Sequence, residues 1–260
     1  MPTTDPLLKH TLDAFLAQVD FAAARATDPV SHVWRFDDPA DQEVVALIAA
    51  SLAYGKVSLL RAAIARVLTH LGPHPAHALA DLPHTRHLDA LDTFVYRMTR
   101  GEDVAALFTA LGGCLREHGS LRALFDTGYQ DVHEDFQPAL GALVHGLRAL
   151  APQQSRGLNY LLADPRRGGA CKRLNLFLRW MVRGPDAIDL GLWSDLPASK
   201  LVMPLDTHVL RICGAMGIGT RKTADWRLAR EIAHALRALV PEDPLKYDFA
   251  ICHMGISGQA

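Results

Sequence analysis

The chain has 260 residues, enough for one large domain or two small ones with a substantial apolar core. Leu (39) and Ala (38) far outnumber Val plus Ile (23), and because the first pair favours helix and the β-branched pair favours strand, the composition predicts an all-α protein. Lys plus Arg at 27 against Asp plus Glu at 28 exclude a uniformly basic nucleic-acid coat. The longest nearly pure apolar run, 44–53 with Ser51 inside it, is too short to span a bilayer. Cys114, Cys171, Cys213 and Cys252 lie far apart, which suits reduced thiols and lacks the spacing of a zinc knuckle or a four-cysteine iron–sulfur loop. No basic segment precedes an apolar stretch at the start, so a soluble cytoplasmic protein without a secretory signal is expected.

In chain order, the first predicted helix runs from Pro6 to Ala26 and stops at Asp28-Pro29. Pro39 opens the next, whose stripe Val44, Leu47, Ile48 and Leu52 continues to Gly55. A helix over Val57–Leu71 ends at Gly72-Pro73, and 72–88 reads as a loop rich in Pro and His. Helical periodicity returns near 88–98, 102–118, 120–126, 132–150, 156–163, 169–183, 205–216, 225–239 and 244–255. No strand-length alternation and no fixed-period repeat are visible.

Charge is unevenly distributed along this chain. Residues 151–230 carry an excess of seven positive charges, whereas 1–150 carry an excess of six negative ones. Such a window suits either a solvated basic face or a phosphate-binding surface. Within it, Asp164-Pro165-Arg166-Arg167-Gly168-Gly169 makes a stop and a tight turn before a helix with the stripe Leu174, Phe177, Leu178 and Met181. At about 100° per residue, Lys172, Arg179 and Arg183 fall together on the opposite face. A glycine turn feeding a helix start exposes N–H groups that suit a phosphate, with Arg166 and Arg167 beside it. A solvent-facing basic helix after a turn explains the same residues. Farther on, Asp206 precedes a helix with the stripe Val209, Ile212, Cys213 and Met216, so its carboxylate is a natural N-cap. A carboxylate held there is also rigidly aimed, as acid–base work requires.

Other features carry less. His70, His74, His77, His84 and His87 crowd one segment but lack a rigid helical pair for a metal. Trp34, Tyr54, Trp180 and Trp193 are candidates to stack on an extruded base, although aromatics in such a protein usually fill the core.

Leu205-Asp206-Thr207-His208-Val209-Leu210-Arg211 resembles the signature of helix-hairpin-helix DNA glycosylases, the endonuclease III superfamily. The 34-residue separation of Lys172 and Asp206 is closer to the archaeal 8-oxoguanine glycosylase branch. Ala170–Arg183, Asp243–Ala250 and Val44–Gly55 also resemble segments of a bacterial family, a likeness spanning most of the chain, while the glycosylase signature covers only about 50 residues. The usual Leu-Pro-Gly-x-Gly hairpin is replaced by Arg-Arg-Gly-Gly-Ala-Cys-Lys, and the Gln that commonly follows the early Leu-Ser element has no counterpart.

The resemblance implies a single glycosylase-like unit over 1–260. A middle helical subdomain with the hairpin (40–185) and a terminal one (1–39 plus 186–260) would flank a cleft. It implies Lys172 and Asp206 as the catalytic pair, and DNA contacts from Arg166, Arg167, Gly168, Gly169, Arg173 and Arg179. No iron–sulfur cluster or other cofactor is implied, beyond a monovalent cation of the kind such hairpins hold. The implied partner is damaged double-stranded DNA in a bacterial cytosol, with oxidised purines such as 8-oxoguanine as lesions, and neither a membrane nor a protein partner is called for. Gly217-Ile-Gly-Thr-Arg-Lys222 looks more like the familiar hairpin, but it follows the aspartate, so Gly217 reads as a helix C-cap and Lys222 as a loop residue. The competing reading is a non-catalytic nucleic-acid binder that keeps the fold, because fold alone does not imply function.

Overall fold

The computed structural model describes residues 6–257, apart from the side chains at 253 and 255–257. In chain order come α1 (Pro6–Leu16), α2 (Phe21–Thr27), a 3-10 turn (Pro29–Arg35), α3 (Pro39–Ser51), α4 (Val57–Leu71), α5 (Pro75–Asp81) and α6 (His84–Leu91). An antiparallel hairpin of β1 (Val95–Tyr96) and β2 (Thr99–Arg100) pairs Val95 with Arg100 and Tyr96 with Thr99. It leads into α7 (Gly101–His118), α8 (Leu121–Asp126), α9 (Gln137–Leu150) and α10 (Arg156–Leu161). A 3-10 turn (Pro165–Arg167), α11 (Lys172–Val182), a further 3-10 turn (Ala198–Lys200), α12 (Thr207–Ala215), α13 (Trp226–Arg237) and α14 (Asp248–Ser257) follow. The protein is mostly helical, as its composition predicts.

Backbone contacts divide the chain into two compact units. The terminal unit takes the described parts of Met1–Ala24, Glu134–Phe136 and Arg167–Ala260, and the middle unit takes Arg25–His133 and Gln137–Arg166. The break falls at 166/167 instead of 185/186, so the Gly-Gly turn and all of α11 join the chain ends.

Three local expectations are corrected. The first helix is two: Asp20 accepts the Ala23 N–H at 3.0 Å and starts α2. The segment 72–88 is not a loop, because its prolines open helices instead of breaking them. Pro75 stands in the first turn of α5, whose Ala76 N–H meets the Asp41 carboxylate at 2.7 Å, and Pro83 stands just outside α6. Finally, the two-residue strands of the hairpin are too short to show an alternating pattern.

The middle unit is organised by α3, which is buried on all sides from Val44 to Ser51. Its acidic side chains reach the starts of other helices. Glu43 accepts the N–H groups of Leu121 (2.8 Å) and Arg122 (3.1 Å), two of the donors that α8 leaves open. Gly112 lets α7 press against α5: a Cβ there would lie 1.9 Å from the Leu79 carbonyl oxygen. Replacing Glu43 with Ala strands both amides away from an acceptor and should cost about 2 kcal/mol. Glu43→Gln keeps one acceptor and should cost less, as read from urea unfolding.

His87 is buried against Phe108, with its Nδ1 2.9 Å from His70 Nε2. Burial, helped by His70 and His84, pushes its pKa down from 6.5 to about 4. On acidification the unfolded chain therefore takes up this proton first. Its contribution to stability is intact above about pH 6.5 and is lost as pH falls toward 4. Urea midpoints should decline across that interval, and His87→Gln should flatten part of the decline.

Candidate active site

The terminal unit brings two sequence-predicted residues together, and the geometry starts with the turn before α11. Gly168 has φ +82, a conformation that favours glycine, and its carbonyl accepts the Trp226 N–H at 2.9 Å. Gly169 forms an isolated bridge with Asp225, and the Trp226 indole donates to Asp135 at 3.1 Å. The turn is thus latched to the start of α13. Cys171 follows with φ +44, unusual for a residue with a side chain. Buried Asn175 secures it: its side-chain amide donates to the Ala170 carbonyl and its backbone N–H to the Cys171 carbonyl, each at 3.0 Å. Lys172 is left as the first residue of α11.

Asp206 is the N-cap of α12, with Oδ1 accepting the Val209 N–H at 2.8 Å. That bond turns Oδ2 outward, and it lies 3.2 Å from Lys172 Nζ. The two side chains are 36% and 20% exposed, so the contact is partly open to solvent. At that distance the two groups form an ion pair. At the far end of α12, Gly217 (φ +69) donates its N–H to the Gly214 carbonyl and Ile218 donates to Cys213, the helix-ending pattern expected of Gly217. Lys222 is exposed in the loop beyond.

The basic residues are not all exposed. Arg167 and the two glycines are exposed in the terminal unit, and Arg173 is half-buried on the first turn of α11. Arg166 belongs to the middle unit, where its guanidinium grips Asp164 at 2.9–3.3 Å. Arg179 departs most from expectation. The helical angle that separates it from the apolar stripe turns it into protein, where it pairs with Asp248 (2.5 Å) and Asp189 (3.2 Å) and lies over the Phe249 ring. It is buried and is not an outward phosphate contact. Arg183 joins the same network through Asp189 and through Asp243 at 2.9 Å.

The remaining candidates are placed as follows. Trp180 and Trp193 are buried, and Trp34 lies under the Arg25 guanidinium at 4.9 Å. Tyr54 donates to or accepts from Thr99 at 2.7 Å and packs on Tyr96 and Tyr160. The histidines of 70–87 form pairs, and no group of three or more potential metal ligands occurs among the described residues. The Gly168, Ala170 and Cys171 carbonyls of the turn each accept one hydrogen bond from the protein and keep a second lone pair. Sequence reading missed Asn175, Asp135 and Trp226 as supports of the site; the one available signal was a polar Asn at a position that helical spacing buries.

Because Asn caps a helix as well as Asp does, Asp206→Asn should leave the unfolding free energy nearly unchanged, whereas Asp206→Ala should lower it by about 1 kcal/mol. Chemical denaturation of the two variants checks this and separates capping from any chemical role.

No helix among the described residues is long and apolar enough to cross a membrane. No curated protein and no solved structure matches the chain significantly. Residues 28–257 match a family described as protein of unknown function (DUF2400), which takes in nearly the whole helical body, both units and the Lys172–Asp206 pair. The chain belongs to that family.

Proposed function

We propose that the protein is a DNA base-excision glycosylase with an accompanying lyase activity, acting on a damaged nucleotide through Lys172 and Asp206. The observation that carries the reading is the 3.2 Å approach of the Lys172 amine to an Asp206 oxygen left open by the cap. The order of turn, lysine and capping aspartate along the chain supports it.

In this mechanism the target nucleotide is rotated out of the duplex, because its sugar carbon is unreachable while the base is stacked. Asp206 takes a proton from the Lys172 ammonium. The amine lone pair then forms a bond to C1′ as the C1′–base bond breaks, and the electron pair leaves with the base, which a proton from solvent completes. Developing positive charge on the sugar lies next to the Asp206 carboxylate, which stabilises it. Opening of the sugar ring gives a Schiff base with Lys172; loss of a C2′ proton then expels the 3′ phosphate. The exposed Gly168-Gly169 turn and Arg167 supply the N–H groups and charge for a backbone phosphate. Oxidised purines such as 8-oxoguanine are the first lesions to test.

Duplexes carrying 8-oxoguanine, uracil or an abasic site, incubated with the protein and borohydride, should yield released base and a covalent adduct. Both should fall at least about 100-fold in Lys172→Gln and in Asp206→Asn and persist in Lys222→Gln. Base release without an adduct would make Asp206 the activator of a water. Salt-sensitive binding with neither, across the whole panel, would replace the enzyme with a nucleic-acid binder.

A further inference from the structure

The middle unit exposes apolar side chains that its core leaves unused. Six large hydrophobic residues are more than half exposed among the described residues, and four of them gather in two segments: Val57 and Leu59 at the start of α4, Val95 and Met98 in the β1–β2 hairpin. The two segments are stitched together. Tyr96 and Thr99, the buried pair of the hairpin, face Tyr54, whose hydroxyl lies 3.0 Å from the Tyr96 carbonyl oxygen and 2.7 Å from the Thr99 hydroxyl. Gly55 (φ +90) lets the turn close in, since a Cβ there would lie 2.9 Å from the Tyr96 hydroxyl and 3.4 Å from an Arg97 guanidinium nitrogen. Two helical turns past Leu59, on the same face of α4, Arg66 donates to the Thr93 hydroxyl at 2.6 Å. The segment 93–97 therefore runs back along α4. Arg97 and Met98, the two residues of the turn, stand exposed at its tip, with Arg97 beside the Gly55-Lys56 step.

Positive charge gathers at the same place. Residues 54–66 and 94–101 hold five Lys or Arg residues and no Asp or Glu, in a part of the chain that is otherwise acidic. Lys56 and Arg97 are exposed, and neither has an ion-pair partner among the described residues. The acids that flank the hairpin along the chain, Asp92 and Glu102, stand at its base and not at its tip. The backbone also holds Arg97 at φ +54, where a two-residue turn ordinarily places glycine or asparagine. Strain of that kind collects where a side chain is needed for binding.

We propose that the hairpin tip and the start of α4 form a nucleic-acid contact surface, with Arg97 and Lys56 on backbone phosphates and Met98 against the face of an unstacked base. Cations interleaved with single apolar side chains complement a strand that offers charged phosphates beside apolar base faces. A lipid surface calls instead for a broad apolar helix face, and α4 turns its own apolar face into the core. The inference rests on the nucleic-acid part of the reading above and not on the Lys172 chemistry, since all its residues belong to the middle unit.

The probe is a fluorescently labelled duplex with a tetrahydrofuran abasic analogue, which cannot form a Schiff base, flanked by 2-aminopurine, which brightens on unstacking. Its binding to the full chain is followed by anisotropy across a salt series. Arg97→Gln and Lys56→Gln should each weaken binding at least about threefold and lower the salt slope by about 1. Met98→Ser should keep the salt slope and lose most of the brightening. Arg97→Gly should bind as weakly as Arg97→Gln yet unfold at no lower a urea concentration, an opposition that a purely structural arginine would not show. A bound duplex with wild-type affinity and salt slope in both cation variants, or with full brightening in Met98→Ser, overturns this inference alone. No binding of any duplex by the wild-type chain overturns it together with the nucleic-acid reading. Uptake onto phosphatidylserine vesicles, or a dimer that Met98→Ser dissolves, with duplex binding unchanged in the variants, gives the face to a lipid or to a second copy and likewise overturns it.

Discussion

The first amides of a helix have no partner within it, and this chain repeatedly meets that need with carboxylates. Asp28, Asp38 and Asp225 cap their own elements, while Asp41 and Glu43 reach across from α3 to α5 and α8. Asp206 is one of this set, and the candidate site grows from that requirement. With one oxygen tied to the Val209 N–H, the other has a fixed direction, and it meets an amine that is itself the first residue of a helix. A lysine is electrostatically misplaced at the positive end of a helix unless a negative group stands opposite. The cap of α12 supplies that group to α11.

Partly open to solvent, the two side chains gain at most about 1 kcal/mol from this contact. Stability is therefore a weak reason to hold them in register. The turn around Lys172 is instead fixed by groups behind it: the Asn175 amide on the Ala170 carbonyl, the Gly168 carbonyl on Trp226, and the Trp226 indole on Asp135. The pair is thus aimed by buried polar groups behind it and not by the energy of its own contact.

How far the sequence discloses this depends on the range of the interaction. Local signals were legible: the limits of α4, the proline start of α3, the apolar stripe of α11, and Gly217 at the end of α12. The helices α5 and α6 were not, because Pro75 and Pro83 read as interruptions until Asp41 is known to meet the amides of α5. The pairing of Lys172 with Asp206 followed from the resemblance, and its distance only from the fold. Arg179 and Arg183 went astray for the same reason. Their partners Asp243 and Asp248 lie some 60 residues along the chain, outside the window whose positive excess suggested a basic surface. A charge count along the sequence cannot see a neutralisation made in space, and two of those positive charges, Arg179 and Arg183, are spent on such acids.

The central claim is that the Lys172 amine itself bonds to the sugar. The most direct test digests the borohydride-reduced protein–oligonucleotide adduct and locates the modified residue by tandem mass spectrometry. The account predicts a single modified peptide with the sugar remnant on Lys172. A remnant on Lys222, on another lysine or on the amino terminus, with Lys172 unmodified, would contradict it.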